Sequence, residues 1–228
     1  CTITSGINNL VVGNSAGLGL LDGTYNVLFG KDAGKCITSG SNNIFLGGNG
    51  PGHGTASGVT GSNNYFGGYH AACFISSGDS NIAFGKFAGK CLTTGSKNIF
   101  LGLSAGCGCA AITGSRNIAI GENAALCLAG GFYNVMFGFN AGKCITGGGN
   151  NVVIGACAGL KNTTQAGNVF IGGSAGCNST GSCNVFIGLN AGEKQGGYHY
   201  NTYIGHKAAC DQSQGSNNVA IGFNACLP

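Results

Sequence analysis

Thirteen cysteines are the most reactive side chains in this 228-residue chain, beside four histidines, six carboxylates and ten Lys and Arg. Most of the cysteines stand nine to eleven residues after a recurring asparagine: Cys36, Cys73, Cys91, Cys107, Cys109, Cys127, Cys144, Cys177 and Cys210. So many cysteines without zinc-type spacing point to disulfides made in an oxidising, extracellular setting. Buried thiols and a metal site are the alternatives; Cys107-Gly-Cys109 alone is a poor ligand set, and so is the group His199, His206 and Cys210. The acids Asp22, Asp32, Asp79, Glu122, Glu193 and Asp211 are scattered, and only Asp22 and Asp32 have a spacing that could resemble the paired carboxylates of a glycoside hydrolase. No nucleophile elbow, P-loop or dinucleotide fingerprint occurs. Neither an enzyme nor a cofactor or metal is therefore expected. Two sequons, at Asn162 and Asn178, are candidate glycosylation sites, so glycan decoration is an expected modification.

The composition limits what elements can carry these residues. Charged residues make up 7% of the chain, against roughly 25% in ordinary soluble domains. There are 47 glycines and only two prolines, which excludes a collagen helix, and 43% hydrophobic residues exclude disorder. Helices are poorly supported by this much glycine. No apolar run reaches the roughly 18–20 residues of a membrane span. The basic residues are scattered singly, with no aromatic platform beside a basic run, so nucleic acid is not an expected partner.

Internal repetition dominates. The segments Asn26-Val-Leu-Phe-Gly30, Asn98-Ile-Phe-Leu-Gly102 and Asn168-Val-Phe-Ile-Gly172 are copies of one unit, N-[VI]-x-[IFL]-G-x-x-A-G-x-C-I-T-x-G-S. Its anchors are Asn9, Asn26, Asn43, Asn64, Asn81, Asn98, Asn117, Asn134, Asn151, Asn168, Asn184, Asn201 and Asn218. They span 209 positions in twelve steps, about 17.4 per step, most of them 17. That period is too short for a helix pair or propeller blade and suits one coil of a β-solenoid. The chain is predicted to be a single all-β domain over 1–228, a β-roll or β-helix of about thirteen coils, each with a four-residue strand, a corner and a second, shorter strand.

Positions one and three after the anchor are Val, Ile, Leu or Phe in nearly every copy, and this uniformity suggests that they face a narrow interior. The position between them then points outward. It carries Phe45, Phe66, Phe100, Met136, Phe170, Phe186 and Tyr203 among others and never a charge, which makes it the expected lateral interface with other copies. The anchor asparagines either form an amide ladder from coil to coil or hold a left-handed corner. Thirteen coils at about 4.8 Å each give a rod roughly 60 Å long.

Neighbouring coils should bring Cys73 beside Cys91, and Cys127 beside Cys109 or Cys144, as inter-coil disulfides. The first residues, Cys1-Thr-Ile-Thr-Ser-Gly6, read like the second half of a coil. Joining Pro228 of one copy to Cys1 of the next gives an anchor step of 19, inside the internal range of 16 to 21. Head-to-tail stacking into an open filament is therefore expected, with Cys1 near Cys210 or Cys226 of the preceding copy; a fragment of a longer repeat protein is the competing reading.

The strings Asn-Val-Phe-Ile-Gly-x-x-Ala-Gly and Thr-Gly-Ser-Asn-Asn resemble the repeats of trimeric autotransporter adhesin heads and of repetitive tail-fibre and surface proteins. That resemblance implies an extended, commonly trimeric β-roll presenting a binding surface. The coils here are longer and richer in cysteine than the autotransporter type. The expected function is that of a structural subunit of an extracellular fibre whose partner is itself, with an adhesin or tail-fibre shaft as the alternative. An ice-binding solenoid is a lesser alternative, suggested by the hydroxyl file Thr38, Thr55, Ser76, Thr93, Thr146, Thr163, Thr180 and Ser213.

Overall fold

The structure is a computed structural model of the chain and describes residues 4–55, 57–211 and 215–225. The chain divides into two compact units, Cys1–Arg116 and Asn117–Pro228. Each is a parallel β-solenoid, and among the described residues there is no helix, hence none long and apolar enough to cross a membrane. The first unit contains β1 (Leu10–Val12), β2 (Val27–Phe29), β3 (Ile44–Leu46), β4 (Tyr65–Gly67), β5 (Ile82–Phe84) and β6 (Ile99–Leu101). The second contains β7 (Ile118–Ile120), β8 (Val135–Phe137), β9 (Val152–Ile154), β10 (Val169–Ile171), β11 (Val185–Ile187), β12 (Thr202–Ile204) and β13 (Val219–Ile221). Within each unit every strand pairs with the next in chain order, and equivalent residues face each other: Phe45 opposite Phe66, Val153 opposite Phe170, Phe170 opposite Phe186.

Each strand has three residues because its two ends are bent by left-handed backbone. The residue before the anchor has a positive φ in nearly every coil (Asn42 at 57°, Lys97 at 60°, Asn150 at 57°), and so has the glycine after the strand (Gly85 at 131°). The glycine conformation is one that a Cβ excludes, and a Cβ at Gly85 would also run into the backbone of Gly102 in the next coil. The anchors themselves are not left-handed, so the corner explanation for their side chains falls and the ladder is what forms.

The second side of the coil departs from the expected strand. Positions six and eight after the anchor are left-handed (Asp32 at 57°, Gly34 at 57°), alternating with right-handed residues. The alternation coils the backbone into successive turns, such as Ala33 N–H to Gly30 O at 3.3 Å and Ile37 N–H to Gly34 O at 2.9 Å. Among the described residues extended pairing survives there as isolated bridges, Ile37 with Val59 and Leu92 with Ile112. The other amides still reach neighbouring coils: Gly34 N–H donates upward to Pro51 O and Asp32 N–H downward to Asn14 O.

The core corrects the inside–outside assignment. The middle strand residue, expected to lie outside, is fully buried: Phe45, Phe66, Phe100, Met136, Phe170, Phe186 and Tyr203 are all 0% exposed. It packs with the alanine seven residues after the anchor (Ala33, Ala88, Ala175) and the aliphatic residue of the second side (Ile37, Leu92, Ile145), which are buried too. In-register stacking places like on like, so aromatic rings stack along the interior: Phe45 on Phe66 at 4.9 Å, Phe170 on Phe186 at 5.1 Å and Phe186 on Tyr203 at 4.8 Å. Such stacked contacts add about 0.5–1.5 kcal/mol each beyond area burial.

Candidate assembly surfaces

The inverted strand makes the outer face the double file of positions one and three. In the first unit it reads Leu10/Val12, Val27/Phe29, Ile44/Leu46, Tyr65/Gly67, Ile82/Phe84 and Ile99/Leu101. In the second unit it reads Ile118/Ile120, Val135/Phe137 and onward to Val219/Ile221, with Thr202 as the one hydroxyl. No charge interrupts either stretch. Every member that carries a side chain is partly or fully exposed, Phe29 at 55% and Phe137 at 52%. The exposed apolar stripe therefore lies on the strand residues on either side of the middle one.

The anchor column supplies the rigidity behind that face. Asn134 is typical: its Nδ2 donates to Asn117 Oδ1 at 3.0 Å and to Gly148 O at 2.7 Å, and its Oδ1 accepts from Asn151 N at 3.0 Å and Nδ2 at 2.9 Å. Each amide thus bonds to the anchors before and after it and to the residue that closes its own coil. Asn9, Asn26, Asn43, Asn64 and Asn81 repeat the pattern in the first unit, where Asn98 Nδ2 donates to Asn81 Oδ1. Asn168, Asn184, Asn201 and Asn218 continue it in the second, each backbone N–H donating to the preceding anchor's Oδ1.

A second polar ladder escaped the sequence reading. Two residues before the anchor, Ser41 Oγ accepts from Thr24 N, Ser62 Oγ from Ser41 N, Asp79 Oδ1 from Ser62 N and Ser96 Oγ from Asp79 N, at 2.7–3.0 Å. His199 belongs to the same register, its Nδ1 accepting from Ser182 N at 3.0 Å. The Ser of the Gly-Ser-Asn-Asn string was the available signal.

Three members of the hydroxyl file are turned along the coil axis, while Thr163 and Thr180 are exposed. Thr38 Oγ1 donates to Val59 O, Ser76 Oγ to Thr93 O and Thr93 Oγ1 to Ile112 O, at 3.1–3.2 Å. Ser213 lies outside the described residues.

No disulfide joins any of the described cysteines. Phe74 N–H bonds to Lys90 O, as Cys91 N–H bonds to Cys107 O in the next coil. Cys73 stands nine residues after its anchor and Cys91 ten, so Cys73 is levelled with Lys90 and not with Cys91. Cys127 and Cys144 do share a level, since their N–H groups bond to Lys143 O and Leu160 O. Their Cβ atoms, however, project in parallel at about the 4.8 Å coil spacing, beyond the usual 3.5–4.5 Å of a bridged pair. Cys109 is exposed while Cys107 takes the position levelled with Lys90. Burial pushes the Cys73 thiol up to about 11. Cys1 and Cys226 fall outside the described residues, and Cys210 is partly exposed.

The two sequons differ. Asn178 is partly exposed, but Asn162 is fully buried in the file that holds Leu128 and Ile145 in earlier coils. In the folded coil the buried Asn162 side chain has no exposed surface from which a glycan could extend. Its amide N and O, with Ser179 Oγ and Gln195 Nε2 in the following coils, find no hydrogen-bond partner. Buried amides in that condition cost about 1–3 kcal/mol each. Asn162→Ile, which restores the residue at Ile145, is therefore expected to raise the stability of the second unit by about 1–3 kcal/mol, measured by urea unfolding.

Among the described residues no group of three or more His, Cys, Asp or Glu side chains is arranged to hold a metal ion. Compared with protein-family models, curated proteins and solved structures, the chain matches none.

Proposed function

We propose that the chain is a structural subunit of an extracellular fibre and that copies associate through the outer double file of their strands. The observation that carries this reading is the uninterrupted apolar face of β1–β6 and of β7–β13, on which no charged residue stands in any coil. The occupant that fits best is a second copy. Its side chains repeat at the same coil spacing, so knobs of one face meet gaps of the other along the whole stretch, whereas a partner without that period would match at one rung only. Two such faces pack at the roughly 10 Å distance of stacked sheets.

Axial stacking is the second contact. Val11 occupies the interior position of the first strand yet is 37% exposed, while its counterpart Leu28 is 0% exposed. A further coil above β1, whichever chain supplies it, would cover Val11 and pair with the open strand edge. The likeness to adhesin-head and tail-fibre repeats supports a second reading, in which the same face joins the copies of a shaft. Ice binding is the weakest reading, because hydroxyls at Thr38, Ser76 and Thr93 already donate to backbone carbonyls.

Sedimentation and electron microscopy test the lateral contact. Ile154→Lys with Ile171→Lys places two charges on adjacent rungs and is expected to shift the protein from bundles to discrete particles with an unchanged far-ultraviolet spectrum. A wild-type chain that stays monomeric at micromolar concentration, or bundles that survive both lysines, overturns the proposal.

A further inference from the structure

The corner after β4 and β5 in the first unit breaks the repeat's own rules. Six residues past each anchor the backbone is left-handed, and the other occupants of this corner in the first unit are short and polar: Ser15, Asp32, Asn49 and Ser104. These are types that tolerate or suit that conformation. Two successive coils instead place His70 (φ 53°) and Phe87 (φ 62°) there. Histidine tolerates that backbone, whereas phenylalanine is uncommon in it, so Phe87 is the departure from the short polar pattern.

These two rings and Tyr69 build one wall. His70 stacks on Phe87 at 6.1 Å, and Tyr69 meets the two edge-on at 4.3 Å and 5.5 Å. The wall faces a cleft of about 500 Å³ closed by His53, from the four-residue insertion, and by Cys73 and Lys90, a volume within the usual range for small-molecule sites. Lys86 and Lys90 each hold their ammonium groups 5.2 Å from the Phe87 ring, and no carboxylate lines the cleft. Burial, then Lys90 and His53, lower the pKa of His70, which leaves the lysines as the source of positive charge. The Cys73 thiol stays protonated and adds no competing anion. Three backbone donors at the cleft are engaged: His53 N–H on Gly50 O, Phe74 N–H on Lys90 O and Phe87 N–H on Tyr69 O. No arginine lines the cleft to offer the guanidinium fork that suits a phosphate.

We propose that this cleft binds a small planar anion of the aromatic carboxylate class, its ring against Phe87 and Tyr69 and its carboxylate at Lys90 and Lys86. The site is independent of the assembly surfaces.

Saturation-transfer NMR and calorimetry with benzoate, benzamide, benzylammonium and phenyl phosphate test it on the intact chain, assembled or not. Benzoate is expected to saturate, with a dissociation constant on the order of millimolar for so few atoms. Benzamide should bind about tenfold more weakly and benzylammonium not at all. Phe87→Ser, which installs the residue of Ser104, should weaken benzoate about tenfold or more without lowering thermal stability, because serine suits the corner better. Lys90→Met should weaken it and flatten its salt dependence. No saturable benzoate binding, equal binding of benzoate and benzamide, tighter binding of phenyl phosphate, or indifference to Phe87→Ser each overturns the proposal.

Discussion

Asn134→Ala is expected to destabilise the second unit by about 3–5 kcal/mol. The substitution removes one small side chain but strands two buried backbone groups: Asn151 N–H loses the Oδ1 that it meets at 3.0 Å, and Gly148 O loses the Nδ2 at 2.7 Å. Each stranded group costs about 1–3 kcal/mol, and the alanine contributes no compensating contact. Asn134→Asp separates shape from chemistry. It keeps the outline of the amide but replaces the Nδ2 donor by an oxygen that faces two acceptors, Asn117 Oδ1 and Gly148 O. The buried carboxyl must then resist ionisation, so its folded-state pKa rises above the roughly 3.9 of an unfolded aspartate. The folded form binds the proton more tightly, and in the window between the two pKa values stability falls as pH rises. Asp should therefore be worse than Ala at pH 7 and recover toward it near pH 4, where the protonated carboxyl donates one bond. Urea titrations at both pH values, with hydrogen exchange at Asn151, read the effect. A cost below about 1 kcal/mol for Asn134→Ala would make the ladder incidental.

The period of the coil was legible from the sequence because thirteen anchors recur with the glycine that must follow the strand. The facing of the strand was not. A period-two pattern of apolar residues on both faces says that two sets alternate, not which set is inside. Uniform size, the sequence's only hint of an interior, misleads in a stack. Interior residues touch their own copies above and below, so Phe170, Phe186 and Tyr203 form rings on rings while Ala83 and Ala119 sit equally buried in other coils. The outer files are uniform for another reason: Val and Ile suit extended backbone, and a neighbour that repeats would require even knobs.

The cysteines were illegible for a related reason. Their offsets of nine, ten or eleven from the anchor look interchangeable in the sequence, but one residue changes the level in a coil whose backbone alternates in hand. Cys73, nine residues after Asn64, shares its level with Lys90, nine after Asn81, and not with Cys91, ten after it. The step of 21 from Asn43 to Asn64 carries His53, which lines the cleft beside His70. The Ser ladder keeps the period, two residues before each anchor, but the cleft does not follow from periodicity, because it depends on which residues share a level once the insertion is placed.

Adjacent residues with opposite fates provide the sharpest check on the corrected strand. Phe170 lies fully buried between Val153 and Phe186 in the register of β9, β10 and β11, stacked on Phe186 at 5.1 Å. Phe170→Asp removes a ring worth about 3–5 kcal/mol on truncation and leaves a carboxylate with no cation in the apolar interior, a further cost of several kcal/mol. The second unit should unfold at ambient temperature, seen as loss of exchange protection from β9 to β11. Ile171→Asp, one residue on, meets solvent. It should cost no more than about 1–2 kcal/mol, the loss of a half-buried side chain and of strand propensity, while a row of such charges disperses lateral bundles. Had the uniform positions been the interior, the two results would exchange. A folded Phe170→Asp beside an unfolded Ile171→Asp would therefore overturn the facing of the strand, and with it the apolar face through which copies are proposed to meet.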